Sequence, residues 1–284
     1  MTATPQDGLD EVYGGSLALF ADVIAAGLRS TRELVPIGPE NARIYPYAEA
    51  TAPSFSQWRK TGAKSLVTGF VQSRSDGRLT VGCYVYDVHK GRELARKGFI
   101  VGSGDWRRAA HKCSGLAYTA ITGAPGMFDT KIAYVAESGV GDGRMRRIAV
   151  MDSDGYNHRY VTDGGAMALT PDLAPKGSQI AFVSFADGKP NVRLLDLESG
   201  RERPLMSSDA ISFAPRFSPD GSRIAFSMMT GPNSDIYMVG SGGGPAQRLT
   251  TSPGVDTGPS FSPDGSRIVF ESDRGGSQQL YVMN

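Results

Sequence analysis

The sequence predicts an α+β amino-terminal domain over residues 1–127, followed over residues 128–284 by an all-β propeller built from 44-residue repeats. Three observations carry this. An apolar stripe with helical spacing near the start gives way to strand-like runs. After Phe128 the texture changes to short strands punctuated by Gly, Pro and Asp, and a Phe-Ser-Pro-Asp-Gly pentad returns at a fixed step.

In the first half, Leu17, Phe20, Ile24 and Leu28 recur at intervals of three, four and four, which gives a helix beginning near Ser16 one apolar face, with Asp22 and Arg29 opposite. That face belongs to a core. A strand and a short helix follow, and then a three-strand meander. Its first two strands, Ser65–Gln72 and Arg78–Val88, flank Ser75-Asp76-Gly77, where Asp-Gly supplies the positive-φ residues of a tight turn. Leu79, Val81, Cys83 and Val85 share one side of the second strand, so Cys83 packs as a small hydrophobe. A third strand, Glu93–Ile100, follows the His89-Lys90-Gly91 turn, and Ser103-Gly104-Asp105 then caps a helix from Trp106 to about Thr122. Trp58 and Trp106 are placed as packing residues at helix starts.

In the second half, Phe217-Ser218-Pro219-Asp220-Gly221 returns as Phe261-Ser262-Pro263-Asp264-Gly265, a step of 44, and Leu173-Ala174-Pro175-Lys176-Gly177 is a degenerate earlier copy. Ile180-Ala181-Phe182, Ile224-Ala225-Phe226 and Ile268-Val269-Phe270 keep the same step, with Ile132-Ala133-Tyr134 ahead of them by 48. Later strands begin at Ile148, Val192, Ile236 and Leu280. Ser-Pro-Asp-Gly is turn chemistry: Pro presets φ, Asp bonds back to the backbone and Gly takes the left-handed position. Asp220 and Asp264 therefore read as turn residues, not as calcium ligands. Four short strands in about 44 residues is the arithmetic of a propeller blade.

Composition limits the chemistry. With 30 Lys+Arg against 29 Asp+Glu there is no excess cation for a phosphate backbone; 15 basic residues face 11 acidic ones before Phe128 and 15 face 18 after it, so neither half reads as a nucleic-acid binder. Three histidines (His89, His111, His158) and two cysteines (Cys83, Cys113) lack metal-ligand spacing, and no cofactor or metal site is expected. His111 and Cys113 lie two positions apart on a helix, where side chains diverge. Arg107-Arg108 and the Arg144–Arg147 cluster read as solvated faces. The first residues carry no basic region before an apolar run, so they are not a secretory signal as written. No stretch approaches the ~18 uninterrupted apolar residues that a membrane-spanning helix requires.

The pattern Pro215 to Phe226, Ile236-Tyr237, Arg248 to Thr250, Pro259 to Phe270 and Leu280 to Met283 resembles the TolB-type propeller repeat, which is shared with propellers of prolyl-peptidase-like enzymes. The preceding domain narrows the likeness. Val23 to Ser30, Ala63 to Gly69 and Trp106 to His111 resemble the helix, strand and helix of the TolB amino-terminal domain, and Phe128 to Val135 resembles the run into that family's first blade.

The resemblance implies a non-enzymatic periplasmic protein of the Tol-Pal system, whose propeller face holds the peptidoglycan-associated lipoprotein Pal and which supports outer-membrane integrity and constriction during division. The loops entering the inner strands border that face in the family. Here they are Leu169-Thr170, Ile211 to Ala214 and Asp256-Thr257-Gly258, and Leu169, Ile211, Ala214, Asp256 and Thr257 are the expected partner contacts. Because the chain starts almost at the first helix, the family's signal peptide, TolA-contacting segment and first strand are expected to be missing, which puts TolA contact in doubt. At 44 residues each, residues 129–284 hold about three and a half repeats where the family closes with six, so the chain is expected to be a truncated or misbounded reading of a longer protein.

Two other classes stay open. A propeller gating a serine hydrolase needs a G-x-S-x-G elbow, which does not occur, and no histidine follows His158. A generic propeller scaffold with another partner differs only in what it captures. No G-x-x-x-x-G-K-[ST] loop occurs, and Gly242 to Gly244 read as a turn. In an oxidising periplasm a Cys83–Cys113 disulfide is open, subject to geometry the sequence does not give.

Overall fold

A computed structural model describes residues 2–4, 10–38, 47–206 and 210–284, with side chains from Leu19 onward except at Tyr47 and Asp142. The chain forms two compact units, Met1–Asp129 and Thr130–Asn284.

The first unit is built on a four-stranded sheet of order β1-β2-β3-β4, made of β1 (Thr2–Thr4), β2 (Ser65–Ser73), β3 (Arg78–Asp87) and β4 (Arg92–Gly102). Its helices are α1 (Asp10–Ser30), the short α2 (Tyr47–Thr51) and α3 (Phe55–Arg59), and α4 (Trp106–Thr122). Phe20, Ile24 and Leu28 of α1 are buried, while Asp22 and Arg29 are exposed, so the stripe read from the sequence faces the core; Leu17 lies outside the described side chains. Leu79, Val81, Cys83 and Val85 of β3 join α1 and α4 in one apolar cluster. Tyr86, with the half-buried Tyr84, packs instead with Leu66, Val88, Phe55 and Trp58, because alternate side chains of a strand leave by opposite faces.

Two expectations are corrected. No strand lies between α1 and α2 among the described residues, where Leu34 to Ile37 are irregular, and residues 39–46 lie outside the description. A strand does precede α1: Thr2–Thr4 pair in parallel with Thr68–Phe70, so the first strand taken as missing has a counterpart. Three residues carry too little pattern to be read as a strand.

The second unit is a run of antiparallel sheets. The first holds β5 (Lys131–Ser138), β6 (Met145–Asp152) and β7 (Arg159–Tyr160); the second, β8 (Ala168–Leu173), β9 (Gln179–Ser184), β10 (Asn191–Asp196) and β11 (Glu202–Pro204). The third holds β12 (Ser212–Phe217), β13 (Arg223–Thr230), β14 (Asn233–Gly240) and β15 (Gln247–Arg248); the fourth, β16 (Asp256–Phe261), β17 (Ile268–Ser272) and β18 (Gln279–Met283). Strand follows strand within every sheet. This is the propeller arrangement that the 44-residue step predicts.

Side-chain alternation explains the stacking. Ile180 and Phe182 of β9 pack with Ile148 and Val150 of the first sheet, whereas their neighbours Ala181 and Val183 pack with Ile224 and Phe226 of the third. Both faces of the middle sheets are thereby dry. Fully burying one Phe or Ile contributes about 1.5–3 kcal/mol, and the repeat supplies one such residue at each of these positions. Ile148, Val192 and Ile236 are wholly buried at one register position, and Leu280, the next in the series, is 72% exposed because no described sheet covers that side of β18.

The turns between inner strands and their neighbours follow the Ser-Pro-Asp-Gly chemistry. The Ser218 hydroxyl donates to Asp220 Oδ1 at 2.6 Å, the Ser222 amide donates to the same oxygen at 3.0 Å, and Gly221 takes φ +73°. The copy at Ser262, Asp264 and Ser266 repeats these bonds. Hydrogen bonds from the flanking Ser groups hold the Asp220 carboxyl well below the usual carboxylate range and that of Asp264 down to about 2.

Two measurements follow from this packing. Gly82 of β3 sits opposite Phe70 of β2, and a β-carbon there would stand 2.1 Å from the Phe70 ring, whereas Gly98 of β4 opens on free space. Gly82→Ala is expected to destabilise the protein by about 1–3 kcal/mol in urea unfolding, and Gly98→Ala by less than about 0.5 kcal/mol. Because Asp220 and Asp264 have depressed folded pKa values, their contribution is present above the ordinary carboxylate pKa and is lost as pH falls through that range toward 2. Urea midpoints between pH 6 and pH 2.5 should fall less steeply for the Asp220→Asn, Asp264→Asn double variant than for the parent.

Candidate partner-binding face

The inner strands share an irregularity. Their pairing register slips between Leu169 and Asp172 in β8, between Phe213 and Arg216 in β12, and between Thr257 and Ser260 in β16. Inside each slip one residue takes a left-handed backbone: Thr170 at φ +45°, Ala214 at +51° and Gly258 at +61°, spaced 44 apart. Each is followed by proline, Pro171, Pro215 or Pro259, which has no N–H to give the ladder. A bulge of this kind bends the strand and re-aims its side chains. Only Gly adopts the conformation without cost, so Ala214 and the β-branched Thr170 hold backbone strain.

Neighbouring sheets hold these bulges in place. Asp172 Oδ2 accepts from the Phe217 amide at 2.7 Å, tying β8 to β12, and the Ser227 hydroxyl accepts from the Gly258 amide at 3.1 Å. The Ser212 hydroxyl accepts from the Val192 amide at 2.9 Å and donates to Asn191 Oδ1 at 2.9 Å. Burial pushes the Asp172 carboxyl above its ordinary pKa, against the opposing pull of the Phe217 amide.

The expected contact residues lie at or near the bulges, with Leu169 and Thr257 on equivalent positions. Leu169 and Thr257 precede the left-handed residue of their strands by one position, Ala214 is itself such a residue, and Ile211 leads into β12. All four are half-buried, with Thr170 and Gly258 exposed beside them, and β8, β12 and β16 are spatial neighbours. Asp256 is the exception. It is completely buried, its Oδ2 accepts from Arg274 Nη2 at 2.8 Å, and its backbone carbonyl accepts from the Ser234 hydroxyl at 2.9 Å. As the first residue of β16 it points into the sheet stack, which corrects its assignment from direct contact to support. Arg274 in turn lies over the rings of Phe270 and Tyr281, 5.1 and 4.8 Å from their centroids.

The sequence reading missed the strained Thr170, the interstrand carboxylate of Asp172 and the Asp256–Arg274 pair. The recurring proline at 171, 215 and 259 was the signal for the bulge. Nothing comparable announces the ion pair, since Arg274 has no basic counterpart 44 residues earlier, where Thr230 stands. The residues at and beside the bulges, Leu169, Thr170, Ile211, Ala214, Thr257 and Gly258, carry no charge.

Comparison with known proteins agrees with this architecture. The family model of the TolB beta propeller domain matches residues 118–284, and that of the TolB amino-terminal domain matches residues 14–94. Over 183 residues, or 64% of this chain, the sequence is 50% identical to Tol-Pal system protein TolB 1 of Novosphingobium aromaticivorans, of which 41% is covered. Over 197 residues, 68% of this chain, it is 50% identical to Tol-Pal system protein TolB of Zymomonas mobilis, of which 43% is covered. The match thus spans about two fifths of the length of these curated relatives. The crystal structure of TolB from Acinetobacter baumannii superposes with a TM-score of 0.76 at 28% identity, covering 99% of this chain and 67% of that one. With the propeller model alone matching more than half of its residues, the chain belongs to the TolB family.

Proposed function

We propose that this chain is a non-enzymatic, periplasmic binding component of the Tol-Pal system, that it holds the peptidoglycan-associated lipoprotein Pal, and that it serves outer-membrane integrity and constriction at division. Family membership supports the Tol-Pal assignment. The observation that carries the binding reading is the bulge repeated at Thr170, Ala214 and Gly258 on three neighbouring inner strands, with uncharged residues at and beside it. Leu169, Ile211, Ala214 and Thr257 are the contacts on this reading, and Asp256 acts through Arg274.

An interface of this kind concentrates its affinity in a few enclosed apolar groups surrounded by neutral ones. Ile211→Asp and Thr257→Arg are therefore expected to weaken Pal binding by about 10- to 100-fold in calorimetry, with unfolding midpoints unchanged. Parent-like affinity in both variants would overturn the placement of the face, and no capture of Pal by the parent would overturn the partner. Ala214→Gly relieves the left-handed strain and is expected to stabilise the chain by about 0.5–1 kcal/mol in urea unfolding, since glycine is at ease at positive φ.

A further inference from the structure

The two cysteines meet in the core of the amino-terminal unit. Cys83 comes from β3 and Cys113 from α4, each side chain almost wholly buried and each thiol free. They belong to one apolar cluster and line the same small void of about 10 Å³, together with Phe20, Ile24, Val67 and Phe70. These are the chain's two cysteines, and both lie in the same apolar cluster as Leu79, Val81, Val85, Ala109, Ala110 and Ala117.

We infer that Cys83 and Cys113 form a disulfide that fastens α4 to the sheet. The inference draws its oxidising compartment from the envelope location proposed above, while the juxtaposition of the sulfurs stands without it. A disulfide needs its sulfurs about 2.05 Å apart, and both side chains border the same small void. The step is thiol–disulfide exchange with a disulfide-carrying oxidant, either a protein or a small molecule. Both cysteine S–H bonds and the oxidant's S–S bond break, the Cys83–Cys113 S–S bond forms, and two electrons and two protons pass to the oxidant, which leaves as two thiols.

The exchange belongs to folding, not to the folded state. Burial, reinforced by the neighbouring Cys83 thiol, holds the Cys113 thiol well above its usual pKa, so the folded protein offers little thiolate to an oxidant. Once closed, the bond ties off a loop of about 30 residues and removes freedom from the unfolded chain.

The test uses the whole chain, unfolded with reductant and refolded in a buffer of reduced and oxidised glutathione poised like an oxidising compartment. The expected product is lighter than the reduced chain by two hydrogens, gives one linked peptide pair from β3 and α4, and melts roughly 10 °C above its reduced form. Cys83→Ala and Cys113→Ala should each abolish the two-hydrogen loss and make melting indifferent to reductant. Refolded chain in which both thiols still react with a maleimide after denaturation, or which carries only glutathione adducts, would overturn the inference. Pal capture by the same refolded material is read separately, so loss of the partner and loss of the disulfide register as different failures.

Discussion

A sheet of three or four short strands has two apolar faces and cannot dry both of them alone, and the second unit is organised by that constraint. β9 shows how it is met: Ile180 and Phe182 leave by one face into the first sheet, Ala181 and Val183 by the other into the third. Period-two alternation therefore divides one strand between two cores. The large members of these cores recur every 44 residues because each sheet offers the next the same surface that it received. The exposure of Leu280 and Val282 on β18 belongs to the same logic: the side chains are those of an interface, at a position where the described chain supplies no further sheet.

The inner strands reconcile two demands. They must pair with their neighbours to satisfy backbone groups, and they must turn at one end, where regular pairing would run straight on. The bulge before each proline separates these tasks. Below it Phe217 and Phe261 stay in register with Ile224 and Ile268; above it the chain bends, and the left-handed residue absorbs the change. Where that residue is Gly258 the bend is free of steric strain, and where it is Thr170 or Ala214 the surrounding hydrogen bonds must hold it. Asp172 reaching the Phe217 amide and Ser212 reaching the Val192 amide are bonds of this kind.

The architecture was legible because its signals are local. A Ser-Pro-Asp-Gly turn and an Ile-Ala-Phe strand report on their own backbone, and the apolar spacing of Phe20, Ile24 and Leu28 reports on one helix face. Thr2–Thr4 failed to announce itself because a strand that short owes its existence to its partner, β2, and not to its own residues. The strand expected between α1 and α2 has no counterpart among the described residues, where Leu34 to Ile37, interrupted by Pro36, pair with no neighbour. At the candidate face, the repeat period places Leu169 and Thr257 at matching positions on their strands, whereas the burial of Asp256 goes with Arg274, an arginine 18 positions away in the loop between β17 and β18. Charge pairing across a turn leaves no periodic trace.

The two units also differ in how far along the chain their contacts reach. Every sheet of the second unit is assembled from successive strands, so its pairings close short segments, and a hairpin such as β13–β14 has its whole recognition surface within one turn. In the first unit β1 pairs with β2 across some 66 positions, joining Thr2 to Thr68. Closing so long a segment costs entropy that three residue pairs return only after β2, β3 and β4 have already formed a template. The three residues of β1 are thus expected to pair late, once that template exists. Strand β1 behaves as a latch on a finished sheet, and its occupancy is set by the state of the sheet it closes.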